Sequence, residues 1–529
     1  MPDGGLGDGG IKDVLSAGDG NKDFDRIDSP VDFPVSPDAG VDLTRGEVAA
    51  QVLDAPASPS ALCKIYVNQN GGSDETEGTT WAKSKATLQA GLDKAEQQGG
   101  CDVWVAKGVY KPTTGGVRSI SIMLRKNIRV FGGFLGNETA FEQRDFKANE
   151  TTLSGDIGVV GNATDNSYFV VTAAQGATLD GFTVTGGSYG EGSAITTGDA
   201  DTAFDIANCV FKNNTAGSAA IYMCGLGSTI KDSILYGEGI RTGGGCKITI
   251  MNCSFLNGSA SNAMLRIGGD YQATSKVAVL KSNFENNAGG AIFTNGGGLV
   301  QVQESTFINN PGGAISANTL DQTPNGLAKL IVSQSKFSGN KSSLPAAAIV
   351  SSDLIADRCV FINNQASKYA GAIYLTGSVN QIANSMFWGN ISGSEGGGAI
   401  YLAAKTKVSI SNTTMAQNTG TVGGAVFGAN LTSQLTLVNS ILWQNKPDEV
   451  SGGTTFATYT ISLGNPFPGV GNSGSDPLFV DLVNGDLRLK PTSPALNAGT
   501  AEVAPTLDLR GVARDGLPDL GCYEGAASL

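Results

Sequence analysis

The 529-residue chain contains no histidine. That absence excludes Ser-His-Asp and Cys-His nucleophile pairs, imidazole proton shuttles and every His-ligated zinc or iron site. Charge is scarce too: 16% of residues are charged, 35 basic against 48 acidic, for a formal charge of −13. This acidic balance argues against nucleic acid and anionic lipid as partners. No apolar run approaches the ~18 residues of a membrane-crossing helix, so no transmembrane segment is expected. The opening MPDGGLGDGG has no apolar signal-peptide core. No CxxC spacing occurs among the 8 cysteines, which removes the usual zinc cluster. No metal and no cofactor is expected.

What the chain has instead is glycine, 74 residues of it, in a sequence rich in Asn, Ser and Thr. Residues 1–62 stand apart, with 12 acidic side chains against Lys12, Lys22, Arg26 and Arg45. Segments of this composition bury too little apolar surface to offset chain entropy, so an acidic disordered tether is expected. Within it, Asp19-Gly-Asn21-Lys-Asp23 echoes the start of a calcium loop. Phe24 and Pro30 stand where that loop needs Gly and Glu, so no metal site is assigned.

From about residue 179 the chain repeats. One large apolar residue recurs as Val184, Phe211, Leu235, Phe255, Phe284, Phe307, Phe337, Phe361, Phe387, Met415 and Leu442, at intervals of 20 to 30 residues. Two positions earlier, from Phe211 on, stands always Cys, Ser or Thr, including Cys209, Cys253 and Cys359. Residues i and i+2 of a strand share a face, so this small column points inward beside the large one. Three positions after the apolar residue comes Asn in eight of ten repeats: Asn214, Asn287, Asn310, Asn340, Asn364, Asn390, Asn418 and Asn445. Asn tolerates left-handed turns, and identical side chains stacked coil on coil can bond to each other. A second strand follows, marked by small-small-Ala-Ile as in Gly289-Gly-Ala-Ile292 and Gly397-Gly-Ala-Ile400. Columns of this kind need parallel strands stacked in register. The expected fold is all-β: a single-stranded right-handed parallel β-helix of about 11 coils of roughly 26 residues. Residues 63–150 are read as an entry and capping segment with a short helix near 85–96, residues 151–450 as the β-helix, and residues 451–529 as a β-rich cap over the far end.

The FxxN units (Phe211–Asn214, Phe284–Asn287, Phe307–Asn310, Phe337–Asn340, Phe361–Asn364, Phe387–Asn390) with GGA[I/V] resemble the repeat of the polymorphic outer membrane proteins. Those are surface-exposed bacterial β-helical adhesins. DPLFVDLVNGDLRLKPTSPALNAGT followed by PDLGCYE resembles the choice-of-anchor C-terminal region of secreted bacterial β-helix proteins. The resemblance implies an extracellular or cell-surface protein whose leader has been removed. With neither autotransporter barrel nor sorting signal before Leu529, an N-terminal anchor is expected. The acidic tether is similar to those that follow the lipidated Cys of bacterial lipoproteins.

Cys63 and Cys101 flank the entry segment, and Cys224 and Cys246 lie about one coil apart, so either pair can form a disulfide in an exported protein. For catalysis the best column is Lys281, Glu304, Gln334 and Arg358, three before the apolar residue. Its signs alternate, which suits a solvated surface ladder, and no catalytic residue is assigned. A binding reading rests on the residue after each second-strand Ile or Val: Tyr222, Phe293, Tyr374, Tyr401 and Phe427. If Ile faces in, these rings face out as an aromatic stripe for sugar rings or a partner protein, unless a loop covers them or they only brace the sheet. Trp388 and Trp443 can extend such a surface. The function expected is that of an adhesin or structural stalk binding glycan or protein along its side. A polysaccharide lyase or hydrolase is one alternative. A self-assembling extracellular filament or matrix subunit is the other.

Overall fold

The computed structural model describes residues 63–525, except 200, 260–261, 269–274, 295–297, 318–327, 344 and 465. The acidic segment 1–62, with its tether and calcium-loop readings, lies outside the described residues. No helix among them is long and apolar enough to cross a membrane.

The chain winds into a right-handed parallel β-helix with three strands per coil. Successive coils build sheet 1 of 15 strands, sheet 2 of 14 and sheet 3 of 13, visited in that order. Sheet 2 carries the Phe column and sheet 3 the Ala-Ile column. Sheet 1 was not read from the repeat, although its alternation is plain: Ile248 and Ile250, Val277 and Val279, Val300 and Val302, Leu330 and Val332 all point into the core. The aromatic and glycine signatures mark two of the three strands, while the third carries only an Ile-x-Ile alternation ahead of the Ser column.

The core is built from columns. Six phenylalanines, from Phe255 to Phe387, stack with centroids 4.4 to 5.0 Å apart and planes within 8° of parallel. Beside them the hydroxyls accept from the backbone of the preceding coil, as Ser305 Oγ does from Ser282 N at 3.1 Å and Ser335 Oγ from Ser305 N at 3.2 Å. Cys209, Cys253 and Cys359 sit buried in the same column, their Sγ atoms on backbone carbonyls, and burial pushes each thiol up to about 12. They act as small hydrophobes with a weak donor.

The Asn column is inward, not left-handed. Positive φ falls on the residue before it (Asn286 at 58°, Asn309 at 51°, Asn363 at 52°) and on the corner before the Ser/Cys column (Lys281 at 49°, Glu304 at 49°, Gln334 at 48°, Arg358 at 51°). The Asn side chains themselves run a directional ladder. Asn287 donates Nδ2 to Asn310 Oδ1 at 2.9 Å, and the same bond repeats through Asn340, Asn364, Asn390 and Asn418 to Asn445. Each Nδ2 also donates to a carbonyl of the preceding coil, for example Asn310 to Phe284 O at 3.0 Å. A chain of donors running one way must end on a group that only accepts. Glu449 is that group, taking both the Nδ2 and the backbone N–H of Asn445. Glu238 does the same for Asn214.

The solenoid begins earlier than the repeat. Lys64–Val67 is already the first strand of sheet 1, so the entry segment forms coils of its own, disguised by long insertions. Helix α1 (Leu88–Gln97) is capped by Thr87, whose hydroxyl accepts from Ala90 N at 3.2 Å, and it buries Leu88, Leu92 and Ala95 in the core. Both expected cysteine pairs are disulfide-bonded, with Cα atoms 4.8 Å apart for Cys63–Cys101 and 5.1 Å for Cys224–Cys246.

The C-terminal region divides its work. Phe467 packs against the end of the main core. The remainder, including the hairpin Phe479–Asp481 and Asp486–Leu489, lies along the outer face of sheet 2 rather than over the end. It covers Met386, Ile441 and Trp443, and Trp388 donates Nε1 to Leu482 O at 3.1 Å. The two tryptophans are thus packing surface for this arm and do not extend an open stripe.

Candidate functional site

The outward column of sheet 3 holds every residue of the expected stripe, in register. Tyr222 pairs with Arg241, Arg241 with Arg266, Arg266 with Phe293, Phe293 with Ser316, Ser316 with Val350, Val350 with Tyr374, Tyr374 with Tyr401, and Tyr401 with Phe427. The rings therefore fall into two blocks, not one stripe. Tyr222 and Phe293 flank two arginines. Tyr374, Tyr401 and Phe427 follow on consecutive coils after the small break at Ser316 and Val350.

The second block is the denser. Tyr374 and Tyr401 stack at 5.2 Å with planes 11° apart, and Phe427 tilts against Tyr401 at 5.4 Å. A fourth ring, Tyr369, arrives from the corner preceding the strand and contacts Tyr401 at 4.8 Å and Tyr374 at 5.5 Å. It was missed because it stands outside the aligned column. Its only sequence signal is position, two residues before the small pair Gly371-Ala372. Beneath Tyr374 and Tyr401 lie Ala346, Val350 and Ala370, a small apolar floor, and all four rings are half-buried.

Why the strand turns here is visible in its glycines. A Cβ on Gly398 would stand 2.2 Å from the Gly424 carbonyl oxygen, and one on Gly371 2.2 Å from that of Gly398. Backbones can approach this closely only without side chains.

Burial raises all three tyrosine pKa values, that of Tyr374 to about 12, and the exposed Glu395 carboxylate, hydrogen-bonded to Tyr369, raises Tyr369 further. The hydroxyls thus stay protonated donors at neutral pH. Rings, hydroxyls and one carboxylate together offer flat apolar faces edged by donors and an acceptor.

Two other groups of ionisable side chains pair among themselves. Lys281 pairs with Glu304 at 3.7 Å, and Arg358 with the neighbouring Asp357 at 2.9 Å, so the column weighed for catalysis is a set of left-handed corner residues with surface ion pairs. The richest charged cluster, Asp508, Asp519 and Glu524 with Arg510 and Arg514, is folded into the C-terminal arm, where Arg514 reaches Glu524 at 2.8 Å with both side chains buried.

A family model described as right handed beta helix region matches residues 167–325. Comparison with curated proteins finds no match. Among solved structures the chain is similar to pectate lyase Pel9A, at 13% identity over 88% of this chain and 97% of that one, TM-score 0.35. It is likewise similar to PfbA, a surface adhesin of Streptococcus pneumoniae, at 14% identity over 74% and 91% of the two chains, TM-score 0.33. The tailspike protein of E. coli bacteriophage HK620 matches at 12% identity over 69% and 73%, TM-score 0.30. By its three stacked sheets the chain has the right-handed parallel β-helix fold, and the family match falls within it.

Proposed function

We propose that the chain is an exported bacterial cell-surface protein, an adhesin or structural stalk that binds glycan or protein along its side. The observation that carries this reading is the four-ring cluster of Tyr369, Tyr374, Tyr401 and Phe427 on the outer face of sheet 3. Tyrosines held on a rigid sheet present large contact area at low entropic cost, and aromatic faces with adjacent polar edges suit sugar rings. Glu395 supplies an acceptor for sugar hydroxyls at the cluster's rim. Two disulfides fit an oxidising compartment. The FxxN and GGAI resemblance to the polymorphic outer membrane proteins points the same way.

The test is retention on an array of glycans and host surface proteins. The wild-type chain should be retained by a defined subset, and Tyr401→Ala should weaken that retention about tenfold, as expected for the loss of one stacking ring worth ~1 kcal/mol or slightly more. Retention unchanged by Tyr401→Ala would sink the cluster as the binding site. A polymer that is shortened rather than retained would turn the reading towards a lyase or hydrolase.

A further inference from the structure

The first block of the sheet 3 column has a composition that the fold does not require. Arg241 and Arg266 stand directly opposite each other on adjacent strands. Like charges so placed on one sheet face are destabilising. Arg241 meets Glu191. Arg266 has no acidic partner within ion-pair distance among the described residues. Its Nη1 donates to Asn262 Oδ1 at 2.6 Å, and Asn262 in turn donates Nδ2 to Gly217 O at 2.8 Å. The guanidinium is thereby aimed, with its carbon 6.0 Å from the ring centroid of Phe293, itself 37% exposed. A cation held in place by neutral groups beside an exposed aromatic ring, with no acid paired to it among the described residues, has the chemistry to receive an anion.

The sheet 1 strands that directly follow the two arginine strands continue this charge. Lys247 and Lys276 are register partners, both exposed, and neither has an acidic partner among the described residues. They border a shallow dent above the small side chain of Ala278, lined also by Thr249, Leu299 and Gln301. Between Gly239 and Lys281 the sequence holds five basic residues (Arg241, Lys247, Arg266, Lys276, Lys281) and one acidic, Asp270, in a chain of net charge −13; Arg241 and Lys281 pair with Glu191 and Glu304, which leaves Lys247, Arg266 and Lys276 to carry the charge. Positive charge concentrated in one band of an acidic protein, at a cost in self-repulsion, creates a local field for a polyanion.

We infer that this band binds an acidic polysaccharide, a sugar chain bearing carboxylates or sulfates. Arg266 forks its anionic groups as a guanidinium does, beside Arg241 in its pair with Glu191, Tyr222 and Phe293 take ring faces on either side, and Lys247 and Lys276 add point charges on the neighbouring sheet. Strands about 4.8 Å apart set the spacing of these contacts. The inference extends the reading of sheet 3 as a glycan-binding face, but it stands on different coils from the tyrosine cluster.

The experiment uses the whole chain on immobilised polygalacturonate, dextran sulfate and uncharged dextran, at low and at physiological salt. Retention is expected on at least one polyanion and not on dextran, falling as salt rises. A sulfate-only or carboxylate-only result identifies the anion. The surface double substitution Arg266→Gln with Lys276→Ala should lower affinity at least tenfold, whereas Lys336→Ala, an exposed lysine on sheet 2, should leave it unchanged. Tyr401→Ala should also leave polyanion retention intact, so failure of the tyrosine cluster and failure of the basic band are read separately. If a separate Lys247→Ala with Lys276→Ala chain is retained like wild type, or if neither polyanion holds the wild-type chain at low salt, the inference falls.

Discussion

At the scale of single residues, the Asn ladder explains why two buried acids sit in a nearly uncharged core. The last side chain of each run donates two hydrogen bonds outward, and a carboxyl group supplies an oxygen for each. The cost is desolvation: burial raises Glu238 and Glu449 to about 7, against the lowering effect of their Asn partners. A carboxyl whose folded pKa lies above its unfolded value stabilises the fold fully below the unfolded value, and that stability is lost as pH rises through the folded one. The melting temperature should therefore fall between about pH 4.5 and 7.5 from these two groups. Replacing both by Gln should flatten the slope across that window in thermal melts, and an unaltered slope would show that other groups carry it. Much of this was legible: the Asn, Phe and Ser/Cys columns, and Glu238 as the exception in one of them. Glu449 was not. It reaches the ladder seven residues past Leu442, through a detour no aligned column records, and the direction of the hydrogen bonds that demands it exists only in three dimensions.

Among elements, the C-terminal arm departs most from expectation. Its Pro- and Gly-rich sequence reads as an end cap, since the end is where a solenoid has unpaired edges. Trp388, Trp443, Met386 and Ile441 on the outside of sheet 2 offer an apolar surface of their own, and the arm packs against them. It is pinned at left-handed corners: Arg514 donates to Asn384 Oδ1 at 3.0 Å, and Asn439 Oδ1 accepts from Thr500 N at 2.9 Å. Arg514 also holds Glu524 with almost no water at either, so Arg514→Ala leaves a buried carboxylate without its partner, worth about 3–5 kcal/mol. The expected outcome is early proteolytic release of residues beyond about 476 while the coils survive; simultaneous digestion of both would contradict independent docking. Sheet 1 and the early coils were likewise hidden by ordinary causes: plain Ile and Val alternation without turn residues, and insertions that stretch the period past recognition.

Over the whole molecule, each coil touches little beyond its two neighbours, so stability accumulates along the axis rather than in one centre. The coil of residues 308–337 can be excised so that Phe307 is followed directly by Ser338, which brings Asn340 beneath Asn287 with the same spacing to its Phe. Such a chain should fold, with unchanged β content by circular dichroism and a melting midpoint lowered by no more than about 5 °C. A collapse to an unfolded chain would mean that a particular coil, not the stack, holds the structure. The segment between strands Ile315–Ala317 and Ala328–Ser333 is long, that between Ile240–Thr242 and Lys247–Met251 short, yet both coils close onto the same columns. The Asn ladder thus works as a parity check. It is blind to how many residues a turn contains and sensitive to a slip of one, because a single misplaced amide breaks the bonds on both sides at once. A protein proofread in this way is free to vary its corners without ever losing count.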